Sequence, residues 1–239
     1  MRIAAIGDVH LGIESSGALR PELRELPERA DALLLAGDLT NHGTMDEARV
    51  VAAEFTDLGV PVVAVLGNHD HHSDAEADIA KLLCDHGITV LEGTAVTLDI
   101  DGRTLGIAGT KGFGGGFAGR CAGIFGERLM REFAGHTADL AASLGSALAE
   151  LSTDVTVALT HYSPITGTLL GEPTELYPFL GSYLLGAAID EFGADLALHG
   201  HAHAGSEHGT TPGGVPVRNV AQPVIQAAYR VYELQPAAA

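Results

Sequence analysis

Five short apolar segments of this sequence each run into aspartate, asparagine or histidine residues within a few positions. The pairs are residues 3–6 before Asp8 and His10, 33–36 before Asp38, 62–66 before Asn68, His69 and Asp70, 155–159 before His161, and 196–198 before His201 and His203. Apolar runs of this length predict buried strands. Ligands of open α/β sheets bind at the carboxyl ends of strands, so these five ends predict one composite site.

The polar residues at these ends have side chains that bind divalent metal ions. Carboxylate, amide and imidazole groups suit borderline ions such as Mn, Fe, Zn or Co. The seven candidate ligands are Asp8, His10, Asp38, Asn68, His161, His201 and His203. Seven ligands exceed one tetrahedral centre and suit two ions that share a bridging carboxylate. We interpret the glycines beside them as places where the backbone turns sharply.

The first part of the sequence, to about residue 87, alternates predicted strands with predicted helices. This order indicates parallel strands joined by crossover helices. Thr44 and Glu47 have the spacing of a capping box at the start of one helix, and Ser73 and Glu76 have it at the start of the next. These elements are expected to hold the first three motifs at one sheet edge.

The second part of the sequence predicts a different arrangement. Short alternating runs follow residue 88, with Asp101-Gly102 as a hairpin turn. A long helix is predicted over residues 126–151, with a break near Gly135. Three closing strands are expected to be antiparallel, over residues 206–210, 215–221 and 228–234. Two strand-rich zones with helices between them indicate two packed sheets covered by helices.

Length, charge and cysteine content limit the class of protein. A chain of 239 residues suits one domain, expected over residues 1–235, with 236–239 as a disordered tail. Thirteen basic against 31 acidic residues give a net charge of −18, which makes nucleic acid an unfavourable partner. Two cysteines without a CxxC motif, no signal-peptide pattern and no membrane-length apolar run predict a cytoplasmic protein. The oligomeric state is left open.

The five motifs, from Gly7 to His203, resemble in order and spacing those of the calcineurin-like metallophosphoesterases. The resemblance implies an α/β fold, a four-layer α-β-β-α double β-sandwich flanked by helices. It implies two divalent metal ions and hydrolysis of a phosphate mono- or diester by attack of a metal-bridging hydroxide. The implied ligands are Asp8, His10 and His203 for one ion, Asn68, His161 and His201 for the other, and Asp38 between them.

His69, next to the ligand Asn68, is implied by the resemblance to stabilise the transferring phosphoryl group or to protonate the leaving oxygen. In the protein phosphatases, the carboxylate that orients this histidine lies three residues after the bridging aspartate. Here that position is Asn41, and Asp70 is the nearest alternative. The next position, a phosphate-binding arginine in those enzymes, is His42, which predicts a weaker and pH-dependent substrate contact.

Two loops carry no role in this scheme. Residues 111–120 contain five glycines but lack the ending of a P-loop, so they form either a mobile loop or a lid with Lys111 or Arg120 on the substrate. Residues 162–182 follow a ligand and are a candidate for substrate selection. The expected substrate is a small soluble phosphoester, such as a cyclic nucleotide or nucleotide-like ester. The alternatives are a non-catalytic metal-binding scaffold and a nuclease.

Overall fold

The computed structural model describes residues 1–235, and the predicted tail 236–239 lies outside them. In chain order, the strands are β1 (Arg2–Ile6), β2 (Ala32–Ala36), β3 (Val62–Val65), β4 (Ile88–Val90), β5 (Thr94–Ile100), β6 (Arg103–Thr110), β7 (Gly116–Phe117), β8 (Arg120–Cys121), β9 (Val155–Thr160), β10 (Leu196–His199), β11 (His208–Thr210), β12 (Pro216–Asn219) and β13 (Arg230–Glu233). The α-helices are α1 (Arg20–Leu23), α2 (Leu26–Arg29), α3 (Met45–Phe55), α4 (Glu76–Asp85), α5 (Arg128–Ala149), α6 (Tyr177–Leu180), α7 (Tyr183–Phe192) and α8 (Gln222–Ile225).

Two mixed sheets form the centre of the fold. The first has the strand order β13-β1-β2-β3-β4, in which β1 to β4 are parallel and β13 is antiparallel to β1. The second has the order β11-β12-β10-β9-β6-β5, with antiparallel strands only at its two edges. Strands β7 and β8 form a separate small hairpin. The carboxyl ends of neighbouring parallel strands lie at the same edge of each sheet, which places the polar motifs together.

Alternating side chains of the strands divide the core into layers. Ile3 and Ala5 of β1 pack between the sheets with Ile107 and Val157, whereas Ile6, on the other face of β1, packs against helices. Helices α1 to α4 cover the outer face of the first sheet, and α5 and α7 cover that of the second. The α/β fold with two mixed sheets flanked by helices is confirmed.

Two local signals of the sequence are confirmed. Thr44 caps α3, since its side chain accepts from the backbone N–H of Glu47 and the glutamate completes the capping box. Asp101 and Gly102 both have left-handed backbone angles, with φ of 54° and 79°, and join β5 to β6 as a two-residue hairpin.

Two other local predictions are wrong, and a third is correct only in part. Helix α4 begins at Glu76 after Ala75, without a side-chain cap, and Ser73 lies two residues before this N-cap, where its Oγ donates to the carbonyl of His42. Helix α5 continues through Gly135, since packing of one face keeps it helical. Of the closing strands, β11 and β12 pair antiparallel as predicted, but β12 is also parallel to β10, and β13 crosses to the first sheet after the short helix α8.

Candidate metal centre

The ends of strands from both sheets bring the predicted ligands into contact. Three groups have ligand atoms within 4.8 Å of one another, namely Asp8 with His10 and His203, Asp38 with His161 and His201, and His10 with Asp38 and His69. The first two groups coincide with the two halves of the predicted ligand set. Asn68, the amide in that set, has its Oδ1 2.9 Å from Nε2 of His161.

Asp38 stands between the two groups. Its Oδ2 is 3.8 Å from Nε2 of His10, and its Oδ1 is 3.4 Å from Nε2 of His161. Each carboxylate oxygen therefore faces a different histidine cluster. This is the arrangement that a carboxylate needs to bridge two cations.

The backbone at the site is held in an uncommon conformation. Asp8, His10, Asp38 and His201 all have left-handed φ angles between 43° and 69°. For residues with a Cβ, this region costs about 1–2 kcal/mol, and it persists only where the surrounding structure imposes it. The bonds that impose it include the N–H of Asp8 to the carbonyl of Gly37 and the N–H of His10 to the carbonyl of Asp38. Strain at four ligand positions indicates that the fold prearranges the site.

The glycines at the strand ends mainly allow side chains of the site to approach the backbone closely, rather than allowing the backbone to turn. Of the three that touch ligands, only Gly37 has a left-handed φ, and a Cβ there would lie 2.7 Å from Nδ1 of His161. A Cβ on Gly67 would overlap the carboxylate of Asp38, and one on Gly200 would overlap that of Asp8. The prediction that these glycines mark sharp turns is therefore wrong for Gly67 and Gly200, which make room for ligands.

Hydrogen bonds fix which ring nitrogen each histidine presents. Nδ1 of His161 bonds to the carbonyl of Ala36 at 2.8 Å, so its Nε2 faces Asp38. Nε2 of His201 lies 3.3 Å from the carbonyl of Phe179, which leaves Nδ1 to bind an ion. A metal-bound histidine usually donates its other N–H in this way, which sets the tautomer and the ring orientation.

Charges in the site are paired between acids and imidazoles. Burial lowers the pKa of His161, but the carboxylate of Asp38 outweighs it and raises the pKa to about 9. Burial likewise raises the pKa of Asp38, but His161 more than offsets it and holds the pKa below its usual value. Nε2 of His203 lies 2.8 Å from Asp8, and this hydrogen bond raises the pKa of His203. Both upward pKa shifts have the same cause, which is the negative charge of the two buried aspartates.

His69 is oriented by a backbone carbonyl. Its Nδ1 lies 2.7 Å from the carbonyl oxygen of Asn41, so the side chain at that position is not the partner. Its Nε2 is 4.0 Å from Oδ2 of Asp38, at the exposed edge of the site. The bond to the carbonyl of Asn41 thus leaves Nε2 of the imidazole on the side of Asp38.

Asp70 does not orient His69, contrary to prediction. Its carboxylate is fully buried and accepts from the backbone N–H groups of Leu39, Thr40 and Gly67 and from the hydroxyl of Thr40. These bonds join the loop after β2 to the loop after β3. Asp70 therefore holds the backbone on which the ligands stand, a role that motif spacing did not indicate.

His42, the predicted phosphate contact, lies at the rim. Its Nδ1 is 3.0 Å from Oε1 of Glu47, the residue that also caps α3, and its side chain is 61% exposed. The ring of His72 lies 6.2 Å from it and 6.4 Å from that of His69. A substrate entering over His69 would meet this rim.

The family model described as calcineurin-like phosphoesterase matches residues 1–205. The chain belongs to this family. Among curated proteins, none matches the chain. A phosphopantetheinyl hydrolase from Mycobacterium tuberculosis has the same fold, with a TM-score of 0.70, 14% identity, and 99% of this chain and 97% of that chain covered. The fold also occurs in the Plasmodium inner-membrane-complex anchor GAP50, with a TM-score of 0.56, 12% identity and coverages of 93% and 72%. TT1561 of Thermus thermophilus has a TM-score of 0.54, 17% identity and coverages of 91% and 88%.

The residues present fit the metal ions that this family implies. Two buried carboxylates, an amide oxygen and four imidazoles converge, and the hydrogen bonds leave ligand nitrogens directed inward. Nε2 of His10 and Nε2 of His203 approach to 3.4 Å, as two ligands of a common ion would. Within the described residues, no helix has the length and apolar character needed to cross a membrane.

Proposed function

We propose that the chain is a dinuclear metal-dependent phosphoesterase that hydrolyses a phosphate mono- or diester of a small soluble molecule. The observation that carries this proposal is the position of Asp38, whose two oxygens face separate clusters of imidazoles. Two divalent ions such as Mn, Fe or Zn, when bound, would neutralise phosphate oxygens and activate water for attack on phosphorus. Asp8, His10 and His203 would hold one ion, and Asn68, His161 and His201 the other.

Residues of the chain itself would orient the phosphoryl group and donate a proton to the leaving oxygen. The phosphoryl group would lie over Asp38, at the exposed edge formed by His69. Because Nδ1 of His69 is committed to the carbonyl of Asn41, a proton for the leaving oxygen would be carried at Nε2. His42, at the rim, would contact the substrate outside the reacting phosphate.

The fold alone does not separate an enzyme from a scaffold, since the anchor GAP50 has the same fold. The ligand set suits a metal-binding scaffold as well as an enzyme. The imidazole of His69, oriented by the carbonyl of Asn41 and placed beside Asp38 at the exposed edge, favours an enzyme, because a scaffold has no use for a proton donor there. The net charge of −18 disfavours long polyanions and favours small esters over the nuclease alternative.

The test is hydrolysis of p-nitrophenyl phosphate and bis(p-nitrophenyl) phosphate by the purified chain with added Mn²⁺. We expect turnover of at least one ester that EDTA abolishes and Mn²⁺ restores. Asp38→Asn should remove turnover and reduce bound metal, and His208→Ala, an exposed histidine on β11, should behave as wild type. Full metal loading without turnover of either ester would favour the scaffold.

A further inference from the structure

The two loops without an assigned role meet beside the metal centre. The backbone N–H of Gly115 donates to the carbonyl of Pro178 at 2.7 Å, and that of Gly116 donates to the carbonyl of Gly181 at 2.9 Å. Together with the start of α5 they enclose a cleft of about 400 Å³. Its walls are mainly apolar, with one cation at the edge, and include Arg120, Cys121, Met130, Phe133, Pro178 and Phe179.

Two glycines of residues 111–120, Gly114 and Gly115, are required by close packing around this contact. A Cβ on Gly114 would lie 2.8 Å from the carbonyl oxygen of Pro178, and one on Gly115 would lie 2.7 Å from the side chain of Thr137. A Cβ on Gly181, across the contact, would overlap the carbonyl of Ser163. The middle of the glycine-rich stretch is therefore packed tightly against its neighbours as a wall.

The cleft and the metal centre share a wall. The carbonyl of Phe179 lies 3.3 Å from the ring of the ligand His201, while the Phe179 side chain is 60% exposed at the cleft. A second connection runs through aromatic rings, with centroid distances of 4.3 Å from His201 to Tyr162, 5.8 Å from Tyr162 to Phe113 and 5.0 Å from Phe113 to Phe133. A molecule whose phosphate lies at the ions could thus extend its organic part along this wall.

We propose that this cleft binds the organic group of the phosphoester and that this group is apolar, an alkyl chain or a plain aromatic ring. The inference deepens the proposed hydrolase function and rests on it. Exposed apolar side chains such as Met130 and Phe179, 46% and 60% accessible, mark interaction sites when they are contiguous. The volume suits a small-molecule site. Continuity with the ligand His201 assigns the cleft to the substrate.

The proposal is tested by varying the length of the alkyl group in the phosphoester. The kcat/KM of the Mn²⁺-loaded protein is measured for ethyl, butyl and octyl phosphate by phosphate release, and for the matching p-nitrophenyl alkyl diesters. Full burial of one methylene is worth about fourfold, so even partial burial predicts at least a tenfold rise from ethyl to octyl. Met130→Gln should lower the octyl-to-ethyl ratio at least threefold. Leu129→Gln, its neighbour on α5 outside the cleft lining, should keep the wild-type ratio.

A second readout does not depend on turnover. Cys121 lies in the cleft lining and Cys84 on α4, and both are exposed free thiols. Octyl phosphate should slow alkylation of Cys121, read by peptide mass, at least threefold more than ethyl phosphate does, and should leave Cys84 unchanged. Equal protection by both esters, or a flat chain-length series, would overturn the inference. Protection of Cys121 without turnover would preserve the cleft and refute the hydrolase. If Met130→Gln instead dissociates a dimer and the series is flat, the cleft is a contact between copies.

Discussion

Gly200→Ala is the sharpest test of how the fold positions the metal ligands. Gly200 does not have a left-handed φ, so its backbone admits alanine, and the effect of the change is steric. The new Cβ would overlap Oδ2 of Asp8 and would lie 3.0 Å from the carbonyl of Ala36. The buried carboxylate would have to move away from the backbone N–H of His201, at 2.9 Å, and from the ring of His203, at 2.8 Å.

The expected magnitude has two parts. Overpacking in a filled interior costs about 1–3 kcal/mol, which for a domain of this size lowers Tm by about 2–4 °C per kcal/mol. Displacement of Asp8 should also weaken binding of the ion held with His10 and His203 by about 10- to 100-fold. The ion held by His161 and His201 should be affected less, because Asp8 is not in its group.

Scanning calorimetry in EDTA measures the first part, and calorimetric titration with Mn²⁺ measures the second. Gly135→Ala is the matched control, since a Cβ there meets nothing within 4 Å on α5. That change should raise stability by about 0.5–1 kcal/mol and leave metal binding unchanged. A Gly200→Ala protein that binds two ions with wild-type affinity would show that Asp8 has room to move and would refute the close-approach argument.

Three further changes test separate parts of the site. Asp70→Asn places an amide N–H₂ against backbone N–H donors and should lower the free energy of unfolding, measured with urea, by about 2–3 kcal/mol. His69→Ala should lower kcat about 10²- to 10⁴-fold with metal content unchanged, whereas loss of metal would make His69 a ligand. Burial lowers the pKa of His199 to about 4. The unfolded chain therefore takes up this proton first, and stability falls as pH drops from about 6.5 toward 4. His199→Gln in EDTA should flatten that fall by about 3 kcal/mol, and an unchanged profile would exclude His199 as its source.

The convergence of the candidate ligands was readable from the sequence for a local reason. Each ligand closely follows an apolar run, and parallel strands place such ends at one sheet edge. Asp8, Asp38 and His161 follow three strands of this kind, and the structure brings all three together. The Asp101-Gly102 hairpin was readable for the same reason, since the turn chemistry lies within two residues.

Features that depend on contacts distant in the sequence were not readable. Asp70 bonds to Thr40, thirty residues earlier, and nothing near either residue marks the pair. The spacing of Ser73 and Glu76 suggested a cap, but α4 begins after Ala75, and the serine hydroxyl donates to the carbonyl of His42, a contact distant in the sequence. The crossing of β13 to the first sheet depends on pairing with β1 at the other end of the chain. In each case, a tertiary contact decides between local alternatives of similar energy.

The glycines at the strand ends and the left-handed backbone angles of the candidate ligands serve the same purpose. A site for two cations brings two carboxylates and several imidazoles together in a buried place, where their desolvation is costly. Glycines at 67 and 200 admit the carboxylates of Asp38 and Asp8 to positions that any side chain would block, and left-handed backbones at those aspartates direct them there. The packing of the two sheets offsets this strain and desolvation, since their core strands are buried up to the residues before each motif. Because backbone hydrogen bonds between the loops support these conformations, we expect metal binding to order the site little and to stabilise the fold chiefly through mass action.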